Sequence, residues 1–263
     1  MARSEEFSLV NRAGLPIKSH AEWGDLAKPA SDTHWKEGRS AWELAAAWTV
    51  GTAAVDLASL LAGAPTLHGL TIETAIAEAQ TRFDDHGGGP RNHDLLLIGR
   101  SAAGPIVIGI EGKADETYGQ TVAAYKAAAD KKVQLEQPTN APDRLKDLLE
   151  DLVDSTLAER PELAALRYQL LTGLAGTLTE AQDVNGHAVF VVHEFVTSLT
   201  ERRKREANHA ALRLAVQALF GVDAPDAPAW LIGPLHTRGQ RWANIDLWIG
   251  QMTTVAPSAG DTN

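Results

Sequence analysis

Cysteine is absent from the 263 residues, so no disulfide, zinc–thiolate or iron–sulfur centre can form and thiol catalysis is excluded. Positive charge is scarce: 24 Lys and Arg stand against 34 Asp and Glu, a formal net charge of −10. That excludes a protein that coats nucleic acid through a uniformly basic surface, although not a local basic groove. Long apolar runs are missing too. The opening MARSEEFSLV has no apolar core of signal-peptide length, and the stretch from Ala45 to Pro65 is interrupted by Thr49, Gly51, Thr52 and Asp56. These absences predict a cytoplasmic protein without a membrane span.

The remaining composition, 44% hydrophobic and 22% charged, is that of an ordinary globular chain, long enough to bury a sizeable core. Residues 1–38 are polar without a clear period and read as an extension. A helix is expected from Ser40, where Ser40 and Glu43 match a capping box and Ala41, Leu44, Ala45 and Trp48 form one apolar stripe. A second helix is expected over residues 53–61, another over 71–80, and a short strand over 81–84. HDLLLIG (residues 93–99) and PIVIGIEGK (105–113), joined by a small turn, predict a hairpin covered on both faces. Residues 114–160 read as helix with loops, and 161–182 as one long helix with Pro161 in its first turn. HAVFVVHEFV (187–196) reads as a strand, followed by a helix capped by Ser198 and Glu201, and a final strand over 245–249. The tail, 253–263, is expected to be disordered. The order predicts one α/β domain over 39–252 with a central mixed sheet flanked by helices.

The chemistry concentrates in residues 93–116. Side chains alternate along a strand, so Val107, Gly109, Glu111 and Lys113 share one face and Ile106, Ile108 and Ile110 the other. In a hairpin the start of the first strand meets the end of the second, which brings Asp94 to Glu111 and Lys113. Two carboxylates and an ammonium at one end of an apolar hairpin suit a hard cation such as Mg²⁺. Lys113, at a strand end, is expected to cost little stability when truncated.

At these residues the sequence resembles the PD-(D/E)XK nuclease-like superfamily, whose pattern of an acid on one strand and acid-x-Lys on the next is met by Asp94 and by Glu111-Gly112-Lys113. GRSAWELAAAW, EGKADETYG and RYQLLTGLAG add a likeness to an uncharacterised bacterial subfamily. The resemblance implies a restriction-endonuclease-like αβββαβ core. It implies Mg²⁺, or Mn²⁺ in its place, held by Asp94 and Glu111, with Lys113 orienting the attacking water. It also implies hydrolysis of nucleic-acid phosphodiesters, and a polar side chain sent to the site by the helix that follows, for which Tyr168 and Gln169 are candidates. His93 stands where the family carries proline. The alternative is a catalytically inactive nuclease-fold protein with a binding or regulatory role. The acidic charge also suits a nuclease that borrows its DNA contacts from a protein partner, and a homo-oligomer is a further expectation. Glu43 and Glu78 are candidates for an extra acid; Asp115 and Glu116 read as loop carboxylates. The basic run Arg202–Arg205 suits phosphate or a solvated helix face.

Overall fold

In the computed structural model, which describes residues 7–29 and 33–256, the chain runs β1 (Ser8–Asn11), α1 (His20–Leu26), α2 (Ser40–Thr49), α3 (Thr52–Leu61), β2 (Thr71–Thr81), β3 (Arg91–Ser101) and β4 (Gly104–Lys113). It continues with α4 (Val122–Gln134), α5 (Ala141–Val153), α6 (Tyr168–Asp183), β5 (His187–Val196), α7 (Arg202–Phe220), β6 (Trp230–Leu235) and β7 (Leu247–Val255). The seven strands form one mixed sheet in the order β1-β2-β3-β4-β5-β7-β6. β2, β3 and β4 are antiparallel, and β4, β5 and β7 are parallel. This is a single-domain α/β fold with helices on both faces of the sheet.

The period-two pattern of the apolar strands explains the two cores. Ile106, Ile108 and Ile110 of β4 pack with Leu44, Trp48, Leu57 and Leu61 of α2 and α3. Val107 lies on the other face with the leucines of α5 and α6 and with Leu212 and Val216 of α7. No helix among the described residues is long and apolar enough to cross a membrane; α2 and α3 meet at 88°.

Several segments differ from expectation. Residues 71–81 are strand throughout, although their alanines and glutamates favour helix. The burial of Ala75, Ala77, Ala79 and Thr81 alternates with period two, and Thr71, Ile72, Thr74 and Ile76 are β-branched. Tertiary pairing with β3 wins over local propensity. The segment beginning at Pro161 is not one helix: a short 3-10 turn, Pro161–Ala165, ends where Leu166 is extended, and α6 starts afresh at Tyr168. Neither serine caps a helix. Glu43 accepts from the Gly38 N–H, and Thr200 Oγ1 accepts from the Thr197 N–H ahead of α7. The segment read as an extension joins the fold, since β1 pairs with β2 and Leu9, Ile17 and Trp23 enter the core. The last strand runs to Val255, three residues into the segment read as a tail, because β5 offers it a full parallel ladder. Residues 257–263 of that tail, with 1–6 and 30–32 of the presumed extension, lie outside the described residues.

α6 lies against the sheet through Gly173 and Gly176, where a Cβ would stand 2.7 Å from Phe190 and 2.6 Å from His93 Nε2. Alanine is the better helix former by about 1 kcal/mol, yet Gly176→Ala is expected to destabilise the protein by about 1–3 kcal/mol, because the buried His93 ring must move. A urea titration checks this; a stabilised variant would show that the contact relaxes freely.

Candidate active site

The site grows out of a fork in the sheet. Pairing between β3 and β4 ends at Leu95 opposite Ile110. Beyond it β3 stays with β2, where His93 faces Ala79, while β4 stays with β5, where Lys113 faces Glu194. Strands that part leave ladder N–H groups without a carbonyl, and such groups need another acceptor. Asp94 provides one: its Oδ2 accepts the Gly112 N–H at 2.7 Å. The residue opposite Asp94 on β2 is Glu78, whose φ of 52° is left-handed. That conformation is costly for a side chain with a Cβ and persists where the surroundings enforce it. At this point the strand changes face: Ala77 belongs to the α2–α3 side and Ala79 to the α6 side.

A cavity of about 260 Å³ opens at the fork, lined by Glu78, Asp94, Glu111, Lys113 and Gln169, with Arg39 and residues of the 29–41 and 116–117 segments. Glu111 is 1% exposed and Lys113 6%. Lys113 Nζ donates to Glu111 Oε1 at 2.6 Å, and Gln169 Nε2 donates to the same oxygen at 2.6 Å. Arg91 Nη2 donates to Glu111 Oε2. Gln169 is itself fixed, since its Oε1 accepts from the Gly119 N–H at 3.2 Å. The four expected site residues therefore meet in one cavity. Tyr168 does not line it and stacks instead on Tyr125, centroids 3.9 Å apart. Glu43 serves the start of α2. Asp115 pairs with Arg39 at 2.5 Å, and Glu116 lines the pocket.

Electrostatics divides the carboxylates into two kinds. Burial alone would raise Glu111, but Lys113 and Arg91, by charge and hydrogen bond, hold its carboxyl below the ordinary value. Burial, with Glu111 close by, pushes Asp94 up to about 8 and Glu78 up to about 7. Burial would lower Lys113, but Glu111 and Asp94 outweigh it and raise the ammonium above its ordinary value, so it stays charged at neutral pH. Burial drives His93 down to about 3, so this ring is neutral.

Among the described residues no three His, Asp or Glu side chains form a ready-made metal cage. The donor chemistry nevertheless fits a hard dication held by one or two carboxylates together with water and phosphate oxygens. Two carboxyls raised by burial and by the charge of Glu111 are groups whose ionised form a bound cation would favour.

The strand-end position of Lys113 does not make it exposed, because β5 and Tyr118, whose ring lies 5.3 Å from Nζ, cover it. The small cost expected for truncating it is replaced by about 3 kcal/mol for Lys113→Ala, the loss of one partner of a buried pair. A shift of less than about 1 kcal/mol in chemical denaturation would contradict the buried pair.

Sequence reasoning missed Arg91, which follows the Gly-Gly-Gly-Pro turn and reads as a loop residue; only the pairing of Arg91 with Thr81 places it inside β3. The basic run in the first turn of α7 is largely paired: Arg202 with Glu206, Lys204 with Glu201 and Arg205 with the buried Glu194.

Searches of curated proteins and of solved structures return no match to this chain. Residues 16–232, which carry the fork and every residue lining its cavity, match the family model described as a domain of unknown function, DUF6946, and the chain belongs to that family.

Proposed function

We propose that the protein is a metal-dependent, nuclease-like hydrolase of phosphodiester bonds, similar to PD-(D/E)XK enzymes. The observation that carries this reading is the fork: Asp94, Glu111 and Lys113, from two strands that part, line one cavity together with Glu78 and Gln169. Asp94 and Glu111 would hold Mg²⁺ or Mn²⁺, with Glu78 beside them. Bound there, the ion supplies positive charge that activates water and offsets charge on the phosphate. Lys113 is a cation in this site and serves as a hydrogen-bond donor to water or phosphate rather than as a base. Gln169 holds Glu111 Oε1 in place through its amide.

A second reading, a nuclease-fold protein that binds without cleaving, is favoured by one observation: both Glu111 oxygens already have cationic donors. The two readings part in one assay. Labelled single- and double-stranded DNA and RNA are incubated with the protein and Mg²⁺ or Mn²⁺. The hydrolase reading expects products ending in 5′-phosphate, abolished by EDTA and lowered about 10²–10³-fold in Lys113→Met. Retention of labelled strands without cleavage in either metal would establish the second reading.

A further inference from the structure

Arg91 meets Glu111 from behind the cavity. Its side chain is 10% exposed, and Glu111 is its one carboxylate partner among the described residues. Its Nε is buried and has no acceptor. The guanidinium reaches Glu111 along a channel that α6 leaves open with glycine: a Cβ on Gly176 would stand 3.2 Å from Arg91 Cγ, and one on Gly173 3.7 Å from Nη2. Arg91 does not line the cavity, so it is out of position to meet substrate directly. A buried guanidinium deprived of its one carboxylate is strongly unfavourable. Any cation that draws Glu111 forward into the cavity must overcome that loss.

We propose that Arg91 is a resident counter-cation that competes with the divalent ion for Glu111 and thereby weakens the ion's hold on the site. The inference rests on the hydrolase reading of the cavity. In the empty site Arg91 and Lys113 neutralise a glutamate that would otherwise be buried with an uncompensated charge, which lets the fork fold without metal. Arg91 thus sets the affinity for the ion through a carboxylate it does not share with the solvent.

The test is calorimetric titration of Mn²⁺ into wild type, Arg91→Leu, Arg91→Gln and Arg91→Lys at neutral pH, with melting followed in parallel. Removal of the guanidinium charge is expected to tighten Mn²⁺ binding at least about tenfold in Arg91→Leu and Arg91→Gln, while Arg91→Lys stays near wild type. Melting of the two neutral variants should be low without metal and should rise with Mn²⁺ more steeply than that of wild type. If both neutral variants are unfolded without metal, their recovery by Mn²⁺ supports the proposal and failure to recover overturns it. Equal or weaker binding in folded Leu and Gln variants also overturns it. A wild type that cleaves and binds Mn²⁺ as tightly as these variants would overturn the role of Arg91 alone. Absence of Mn²⁺ binding in all four proteins, with no cleavage, would overturn this proposal and the hydrolase reading together.

Discussion

Glu111→Ala is expected to lower stability by about 3–5 kcal/mol, a large share of the 5–15 kcal/mol that holds a typical domain together. The reason is not the lost side chain but what it leaves behind. Lys113 and Arg91, 6% and 10% exposed, would face each other across a vacated carboxylate. Two like charges in a poorly solvated site repel, and neither has a second carboxylate within ion-pair distance among the described residues. The double variant Glu111→Ala with Arg91→Leu removes one of the stranded cations and should recover part of the loss, because directly contacting residues couple. Urea denaturation at neutral pH measures both. A cost below about 1 kcal/mol for the single variant would mean that the fork is already open to water.

Asp94→Asn should move stability the other way. In the folded protein Asp94 titrates near 8, against an ordinary value of 3.8. Below pH 4 the carboxyl is protonated in both folded and unfolded chains. Between about 4 and 8 the unfolded chain has released the proton and the folded one still holds it, so wild-type stability falls as pH rises through that window. Asparagine has no proton to lose, and its Oδ1 can still accept the Gly112 N–H. The variant should therefore gain on wild type from pH 4 to 8, reaching a difference of roughly a few kcal/mol by pH 8 in metal-free buffer. On the hydrolase reading, cleavage should fall by about 10²–10³-fold in the same protein. A stable, inactive variant separates catalytic loss from unfolding, which Glu111→Ala does not. A difference in melting temperature that stays flat across this range would show that Asp94 is ionised in the folded state.

The parts of the fold that were legible in the sequence are those where one local pattern sufficed. β3 and β4 are continuous apolar runs with a small turn between them, and that arrangement alone brings Asp94 toward Glu111 and Lys113. β2 was not legible, because its alanines are small enough for close packing beneath helices yet also favour helix; only the register with β3 decides. The caps were misplaced for a similar reason. Ser40 and Ser198 stand at plausible spacings, but the backbone groups that need satisfying lie earlier in the chain, at Gly38 and Thr197. Gln169 could be named as a candidate because its helix follows the motif strand, while its contact with Glu111, 58 positions away, belongs to tertiary structure. Arg91 gave no signal at all. A lone arginine after a glycine-rich turn looks solvated, and its burial depends on two glycines in a helix more than 80 positions later.

The place of β7 bears on how the chain can be made. β7 follows β6 in sequence but lies between β5 and β6 in the sheet. While β7 is still within the ribosome, β5 presents an open parallel edge and β6 has no strand to join. Trp248 and Ile249, both 1% exposed in the finished protein, are then missing from opposite faces of the sheet. Synthesis proceeds at about 5–20 residues per second, so this edge stays bare for seconds at least. The chain is accordingly expected to complete its sheet after, not during, emergence of its last strand, and nascent chains arrested before residue 247 should be bound by chaperones and cut readily by protease.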